Sequence, residues 1–306
     1  MFPDQQLGST DLRVSRLGLG TLALGRDYGI RIQGSKMRPS ASDSAQILQF
    51  ALDMGIKLID TARMYGESEA IIGEAIGHRR HEYVLASKVA QYPGEPKRVR
   101  ESVEASLRAL RTDVIDLVQV QCSVTDQMPD RATTDALLEL KRSGEIRYVG
   151  ASVYGAELAA AAMASRDFDC LQVAYNVLDR RMEKQLLPAT GKENIGVLAR
   201  SVLMKGALTE RVEGLPEELY SVKMAVRDLD HLAAEEVECL PELAYRYALS
   251  EPAVASVLAG VTSLRELEQA FRWASRGALS AKLLDQIRAL PILPAQVLTP
   301  AFWPPL

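Results

Sequence analysis

Three cysteines in 306 residues, widely separated at Cys122, Cys170 and Cys239, offer neither a disulfide framework nor the spacing of a metal-ligand cluster. Their odd number reads as reduced thiols, the usage expected of a cytosolic protein. No long basic run or aromatic-interleaved basic stripe occurs, and 36 Lys and Arg face 40 Asp and Glu, so the footprint of a nucleic-acid binder is missing. No segment approaches the apolar length of a membrane span, and Met1 to Ser15 is polar and charged where a signal peptide needs its apolar stretch. The absences point to a cytoplasmic protein whose partners are small molecules, with no metal implied.

What is present is an ordinary globular composition, 47% hydrophobic and 25% charged, sufficient for a sizeable core. Short apolar, β-branched runs alternate with longer amphipathic stretches from Arg16 almost to the C-terminus. Eight strands are expected at Arg16–Gly20, Ile56–Ile59, Tyr83–Ser87, Ile115–Val120, Arg147–Gly150, Cys170–Val173, Gly196–Ala199 and Ala255–Leu258. Helical patterns lie between and after them at Ser42–Met54, Ser68–Gly77, Lys97–Leu110, Ala132–Ser143, Gly155–Ala164, Arg181–Leu187, Pro241–Ser250 and Leu264–Ala274. This rhythm predicts an α/β fold, a (β/α)8 TIM barrel, with residues 1–306 forming one domain.

Gln5–Ser15 is expected to form a small hairpin closing the barrel bottom, and Leu279–Leu306 a helix followed by a Pro-rich tail in which Phe302 and Trp303 pack against the barrel. Arg26–Ala41 and Met204–Val237 read as long loops walling an active site. A doubly wound fold is disfavoured, because Gly18-Leu19-Gly20-Thr21-Leu22-Ala23 lacks the third glycine of a phosphate turn and no helix follows at once.

Barrel enzymes carry their chemistry at strand C-termini, where this chain has Asp60, Tyr65 just beyond, Lys88 and Gln121. A buried lysine beside a carboxylate stays charged only when satisfied, and its positive charge favours ionisation of a nearby tyrosine. That combination makes a proton donor for a carbonyl oxygen. Singly, each residue has a commonplace structural role, the Asp capping a turn, the Lys snorkelling and the Tyr packing; together at successive strand ends they favour a site.

Leu7-Gly8-Ser9, Val14 to Thr21, Ile59-Asp60-Thr61-Ala62 with Tyr65-Gly66, Ala86-Ser87-Lys88-Val89 and Ile115 to Gln119 resemble the aldo-keto reductases, here of a bacterial, sugar-handling type. The resemblance continues through Gly144 to Gly150, Gln172 to Asn176 and Gly196 to Ser201. It implies hydride transfer from NAD(P)H at the barrel mouth, with Asp60, Tyr65 and Lys88 as catalytic residues and Tyr65 as general acid. It also assigns Ser152 and Gln172 to the nicotinamide carboxamide, Arg200 to the face of the nicotinamide ring, and Gly260, Thr262, Ser263, Arg265 and Gln269 to the cofactor's far end.

The sequence departs from the family at four places. The histidine of a pattern like Asp-Leu-Tyr-Gln-Ile-His is Gln121, which can donate a hydrogen bond to a carbonyl but cannot ionise. Losing a good oxyanion donor lowers a rate by roughly 10²–10³, and a substituted donor costs less. Val153 replaces the asparagine after the cofactor serine, which removes a hydrogen bond, makes the pocket more apolar and predicts a weaker cofactor grip. Glu266 stands where a basic or amide side chain is usual, and Ala270 where an asparagine is. A carboxylate there repels a 2′-phosphate unless Arg265 compensates. The cofactor is therefore NAD(H), or NADP(H) held through Arg265 and Ser263, or is under relaxed demand.

The leading expectation is a NAD(P)H-dependent oxidoreductase reducing a keto-sugar or related polar carbonyl metabolite. The alternatives are a non-redox lyase, dehydratase or epimerase using Tyr65 and Lys88 for proton transfer, and a non-catalytic cofactor-sensing module.

Overall fold

The computed structural model describes residues 4–31 and 37–304. Part of the expected Arg26–Ala41 loop and the last two residues of the tail lie outside the described residues.

Two short strands, β1 (Gln5–Gln6) and β2 (Arg13–Val14), pair antiparallel as the N-terminal hairpin. Eight further strands follow: β3 (Leu17–Gly20), β4 (Leu58–Asp60), β5 (Val84–Ala90), β6 (Ile115–Gln121), β7 (Ile146–Val153), β8 (Cys170–Ala174), β9 (Gly196–Arg200) and β10 (Ser256–Gly260). All pair parallel in chain order, and β10 returns to β3 through Gly260↔Gly20 to close the barrel.

Side chains alternate across each strand, which divides the core in two. Leu58, Ala86, Leu117, Cys170, Leu198 and Leu258 fill the barrel interior together with Leu7 of the hairpin. Val89, Val118, Val120, Val149, Val173 and Val197 pack outward under the helices. The hairpin seals the bottom, where Gly8 has φ +58 and an added Cβ would stand 2.2 Å from the Gly196 nitrogen, so the backbones touch. Asp116 braces the same end, accepting from the Leu85 amide at 2.8 Å, Arg80 at 2.6 Å and Arg147 at 2.8 Å.

The helices agree with the amphipathic pattern wherever it belongs to the repeat. Ala41–Asp53 begins one residue before the expected start, because Ser40 and Asp43 form a reciprocal capping box. Leu240–Leu249 carries Pro241 in its first turn, where its missing N–H is harmless.

Three elements differ from expectation, the first being the short helix Leu22–Gly25, which follows β3 at once where the sequence reading expects none. The helix expected at Arg181–Leu187 is Leu186–Glu193. Asn176 Oδ1 accepts from the amides of Leu178 and Asp179, and Asp179 pairs with Arg181, so a hydrogen-bonded turn occupies the residues before it. Pro188 then falls in the first turn rather than the interior. The expected loop Met204–Val237 contains a 14-residue helix, Tyr220–Ala233, with Val222, Val226, Leu229 and Ala233 buried on one face.

The C-terminal segment forms the helix Ala281–Ala289, the short helix Ala295–Leu298 and a final turn. Arg180 reaches the Leu290 carbonyl at 2.6 Å and Arg181 the Thr299 hydroxyl at 3.4 Å, tying this segment to the loop after β8. Trp303 packs as expected, its Nε1 donating to the Val297 carbonyl at 2.9 Å, but Phe302 is exposed over 54% of its surface.

Candidate active site

A polar layer lies above the apolar filling of the barrel. Asp60 ends β4, Lys88 sits within β5, Gln119 within β6 and Gln172 within β8, all buried. Lys88 Nζ donates to Asp60 Oδ2 at 2.5 Å and to the Thr61 carbonyl at 2.9 Å, and it stands 5.0 Å from the centre of the Tyr65 ring. Burial opposes the ammonium charge, but Asp60 and then Tyr65 outweigh it and hold Lys88 above its ordinary value. The other Asp60 oxygen accepts Gln172 Nε2 at 2.8 Å and Gln119 Nε2 at 3.3 Å. A buried ion pair survives when its remaining lone pairs and protons are matched in this way.

Tyr65 follows β4 on a tight turn. Its amide donates to the Ala62 carbonyl at 3.0 Å, and Gly66 beyond it has φ +62 with Gly25 packed against it, where a Cβ would meet the Gly25 oxygen at 2.4 Å. The close approach fixes where the phenol ring can sit.

Gln121 ends β6 on the same side as Gln119, paired in register with Ser152, which in turn pairs with Gln172. Among the described residues its Nε2 reaches only the neighbouring Cys122 carbonyl, at 3.3 Å, so the amide is lightly held. The Cys122 thiol beside it is pushed up to about 12 by burial, which leaves it inert as a nucleophile. Ser152 Oγ is buried with no hydrogen-bond partner among the described residues. An orphaned hydroxyl between Gln121 and Gln172 matches the chemistry of a carboxamide, so the residues present fit a nicotinamide.

Val153, by strand alternation, turns away from the interior and joins the outer core. The expectation that it makes the pocket more apolar is therefore corrected. Its carbonyl accepts from Arg200 Nη2 at 2.9 Å. Arg200 ends β9 and lies 4.2 Å over the ring of Tyr154, with Ser201 Oγ at 3.2 Å. Tyr28 is partly exposed, yet burial of its hydroxyl end pushes the phenol up to about 12, with Arg200 opposing and Tyr154 and Tyr65 adding to it.

Three residues of this neighbourhood, Gln119, Tyr28 and Tyr154, were not singled out from sequence. Gln119 had the one readable signal, a polar residue in register between Leu117 and Gln121.

The remaining expected residues gather after β10. Gly260 ends that strand, and Ser263 caps the helix Leu264–Ala274 by accepting from the Glu266 amide at 3.2 Å. Glu266 Oε2 folds back to accept the Thr262 amide at 2.6 Å and the Thr262 hydroxyl at 3.0 Å, and Oε1 lies 4.0 Å from Arg211. Arg265 is exposed and makes no ion pair or hydrogen bond among the described residues, and Gln269 is half-buried one turn on. Ala270 is buried in the core.

An eight-stranded parallel barrel with a buried Lys–Asp pair against a tyrosine at its mouth has the architecture of a barrel enzyme, whose chemistry sits at the strand C-termini. Residues 16–292 match the Aldo/keto reductase family, and the chain belongs to it. It is 30% identical to an uncharacterized oxidoreductase, YqkF, of Bacillus subtilis, covering 94% of each chain. It is 29% identical to an NADH-specific methylglyoxal reductase of Escherichia coli over 86% of this chain and 90% of that one. Its fold matches the holo form of the aldo-keto reductase AKR11C1 from Bacillus halodurans with a TM-score of 0.76 at 27% identity, covering 94% of this chain and 96% of that chain. The chain is thus an oxidoreductase acting between CH–OH and C=O, and the family implies a dinucleotide cofactor. Among the described residues no helix is long and apolar enough to cross a membrane.

Proposed function

We propose that this chain reduces a small polar carbonyl compound, a keto-sugar or related metabolite, using NADH in preference to NADPH. The observation that carries the reading is Lys88, buried between Asp60 Oδ2 and the Thr61 carbonyl with its ammonium against the Tyr65 ring.

When bound, the dinucleotide supplies the hydride. Ser152 and the carbonyl oxygen of Gln172 hold the carboxamide, Arg200 covers the ring, and Gly260, Thr262, Ser263, Arg265 and Gln269 line the adenosine end. Tyr65 gives its phenolic proton to the substrate oxygen, Lys88 stabilises the phenolate left behind, and Asp60 keeps Lys88 charged. Gln121 orients the carbonyl through its amide and takes no part in proton movement.

The cofactor preference rests on Glu266. Its carboxylate already occupies the Thr262 donors beside the helix N-terminus, where a phosphate would otherwise bind, and it adds a negative charge facing any 2′-phosphate. The relative named as an NADH-specific methylglyoxal reductase is consistent with this preference.

The test is a fluorescence titration with NADH and with NADPH, followed by turnover on a panel from methylglyoxal to pentoses. Saturable NADH binding at least about tenfold tighter than NADPH is expected, equivalent to about 1.4 kcal/mol. No saturable binding of either dinucleotide overturns the function, and tighter NADPH binding overturns the preference.

A further inference from the structure

Strand β6 alternates, so Leu117, Gln119 and Gln121 share the side that faces the barrel axis. Gln119 lies one pleat deeper than Gln121, opposite Lys88 on β5 and Gly150 on β7, and it is fully buried. The two ends of its amide fare differently. Nε2 donates to Asp60 Oδ1 at 3.3 Å, sharing that oxygen with Gln172, while Lys88 holds Oδ2 at 2.5 Å. Oε1 is buried with no partner among the described residues.

The space is made by a neighbouring strand. A Cβ on Gly150 would stand 3.0 Å from Gln119 Cγ and 2.9 Å from the Cys170 carbonyl oxygen, so only glycine leaves room for the glutamine beneath the site. An unpaired buried carbonyl is unfavourable, and an apolar side chain of the same shape avoids that penalty. Packing alone therefore does not account for a glutamine here.

We propose that Gln119 is a positioning residue of the active site, whose amide pins Asp60 Oδ1 so that Oδ2 remains on Lys88 and Lys88 remains against Tyr65. The inference rests on the reading of Tyr65 as proton donor. With Gln119 absent, Lys88 and Gln172 alone hold the carboxylate, whose plane is freer to turn.

Gln119→Met preserves length and volume while removing both the donor and the orphaned carbonyl. The expected result is a fall in kcat of about tenfold, the scale of one charge-assisted hydrogen bond, with KM and the NADH dissociation constant changed by less than about twofold. The thermal midpoint should stay level or rise, because an unsatisfied buried group has been removed. Unchanged kcat, or a fall in kcat accompanied by a lower thermal midpoint, overturns the proposal.

A second measurement needs no turnover. Urea midpoints of Gln119→Met, Gln172→Met and the double variant form a cycle through Asp60 Oδ1, which both amides share. A double-variant loss larger than the sum of the single ones is expected, and strict additivity overturns the proposal. A parent protein that binds neither dinucleotide removes the proposed reaction but leaves this cycle to decide the role of Gln119.

Discussion

Around Asp60, every charged atom is buried and matched: Oδ2 meets Lys88, Oδ1 meets Gln172 and Gln119, and the lysine's charge ends against Tyr65. At the head of the Leu264–Ala274 helix, the Glu266 side chain is 42% exposed, its partner Arg211 stands at 4.0 Å and Arg265 makes no ion pair among the described residues. In the interior, geometry and charge are mutually fixed, so removing a charge there disturbs stability as well as rate. At the rim, water screens each group, so selectivity can be altered with the barrel left intact.

The severest break in that comparison is Lys88→Met. It leaves Asp60 buried without its cation and is expected to destabilise the fold by about 3–5 kcal/mol, read as a lowered urea midpoint. The folded-state value of Lys88 is raised, so the stability it contributes is fully present below its ordinary 10.5 and is lost as pH rises through the higher folded value. Unfolding curves of the parent between pH 6 and 9 should therefore show no change from this pair, with weakening only at more alkaline pH.

Tyr65→Phe should leave the fold standing and lower kcat for carbonyl reduction by about 10²–10⁴, while NADH still quenches fluorescence. At the rim, Glu266→Gln should change the NADH to NADPH preference by about tenfold with no loss of stability beyond about 1 kcal/mol, measured by paired titrations and thermal melts.

The three histidines sharpen the contrast from another side. His78 and His81 lie on the turn before β5, at the barrel bottom, and His231 lies on the outer helix Tyr220–Ala233. None is at the mouth, so kcat for reduction should be flat between pH 6 and 8. Gln121→His should introduce a break near about 6.5, and a parent profile already breaking there would contradict the assignment of Gln121.

The smallest effect is expected for Ser263→Ala. It removes the cap on the Glu266 amide and should lower stability by about 1 kcal/mol with kcat unaltered.

The barrel was legible because its signal repeats. Most inner strands are short apolar runs with β-branched residues, and each helix of the repeat buries one stripe, so single errors of boundary do not obscure the alternation. Tyr220–Ala233 carried the same stripe at Val222, Val226, Leu229 and Ala233, but it lies outside the repeat and was read as part of a loop. Asp60, Tyr65 and Lys88 are legible as a group on successive β/α units, although Lys88, expected just after its strand, lies within β5 because that strand runs on to Ala90. Gln119 is legible only as a polar residue on the inner face of its strand, which gives no sign of which neighbour it will meet. That Val153 turns outward follows from counting from Ser152, and resemblance to a family motif outweighed the count. The folded-back Glu266 depends on a rotamer, which sequence does not fix.

Arg16, just before β3, donates to the Val254 carbonyl 238 residues further along, and the hairpin before it presses Gly8 against the start of β9. The segment before β3 is thus held by partners far along the chain. Asp60, Lys88, Gln119 and Gln172 are all present once β8 has been synthesised, but the ring that holds them waits for β10. A chain arrested before β10 would display a nearly complete proton-handling layer on an open sheet, with two unpaired edges and no sealed bottom. Such a nascent intermediate is exposed to edge-to-edge association until the last strand arrives. Closure through β10 makes assembly of the barrel depend on contacts of long sequence separation.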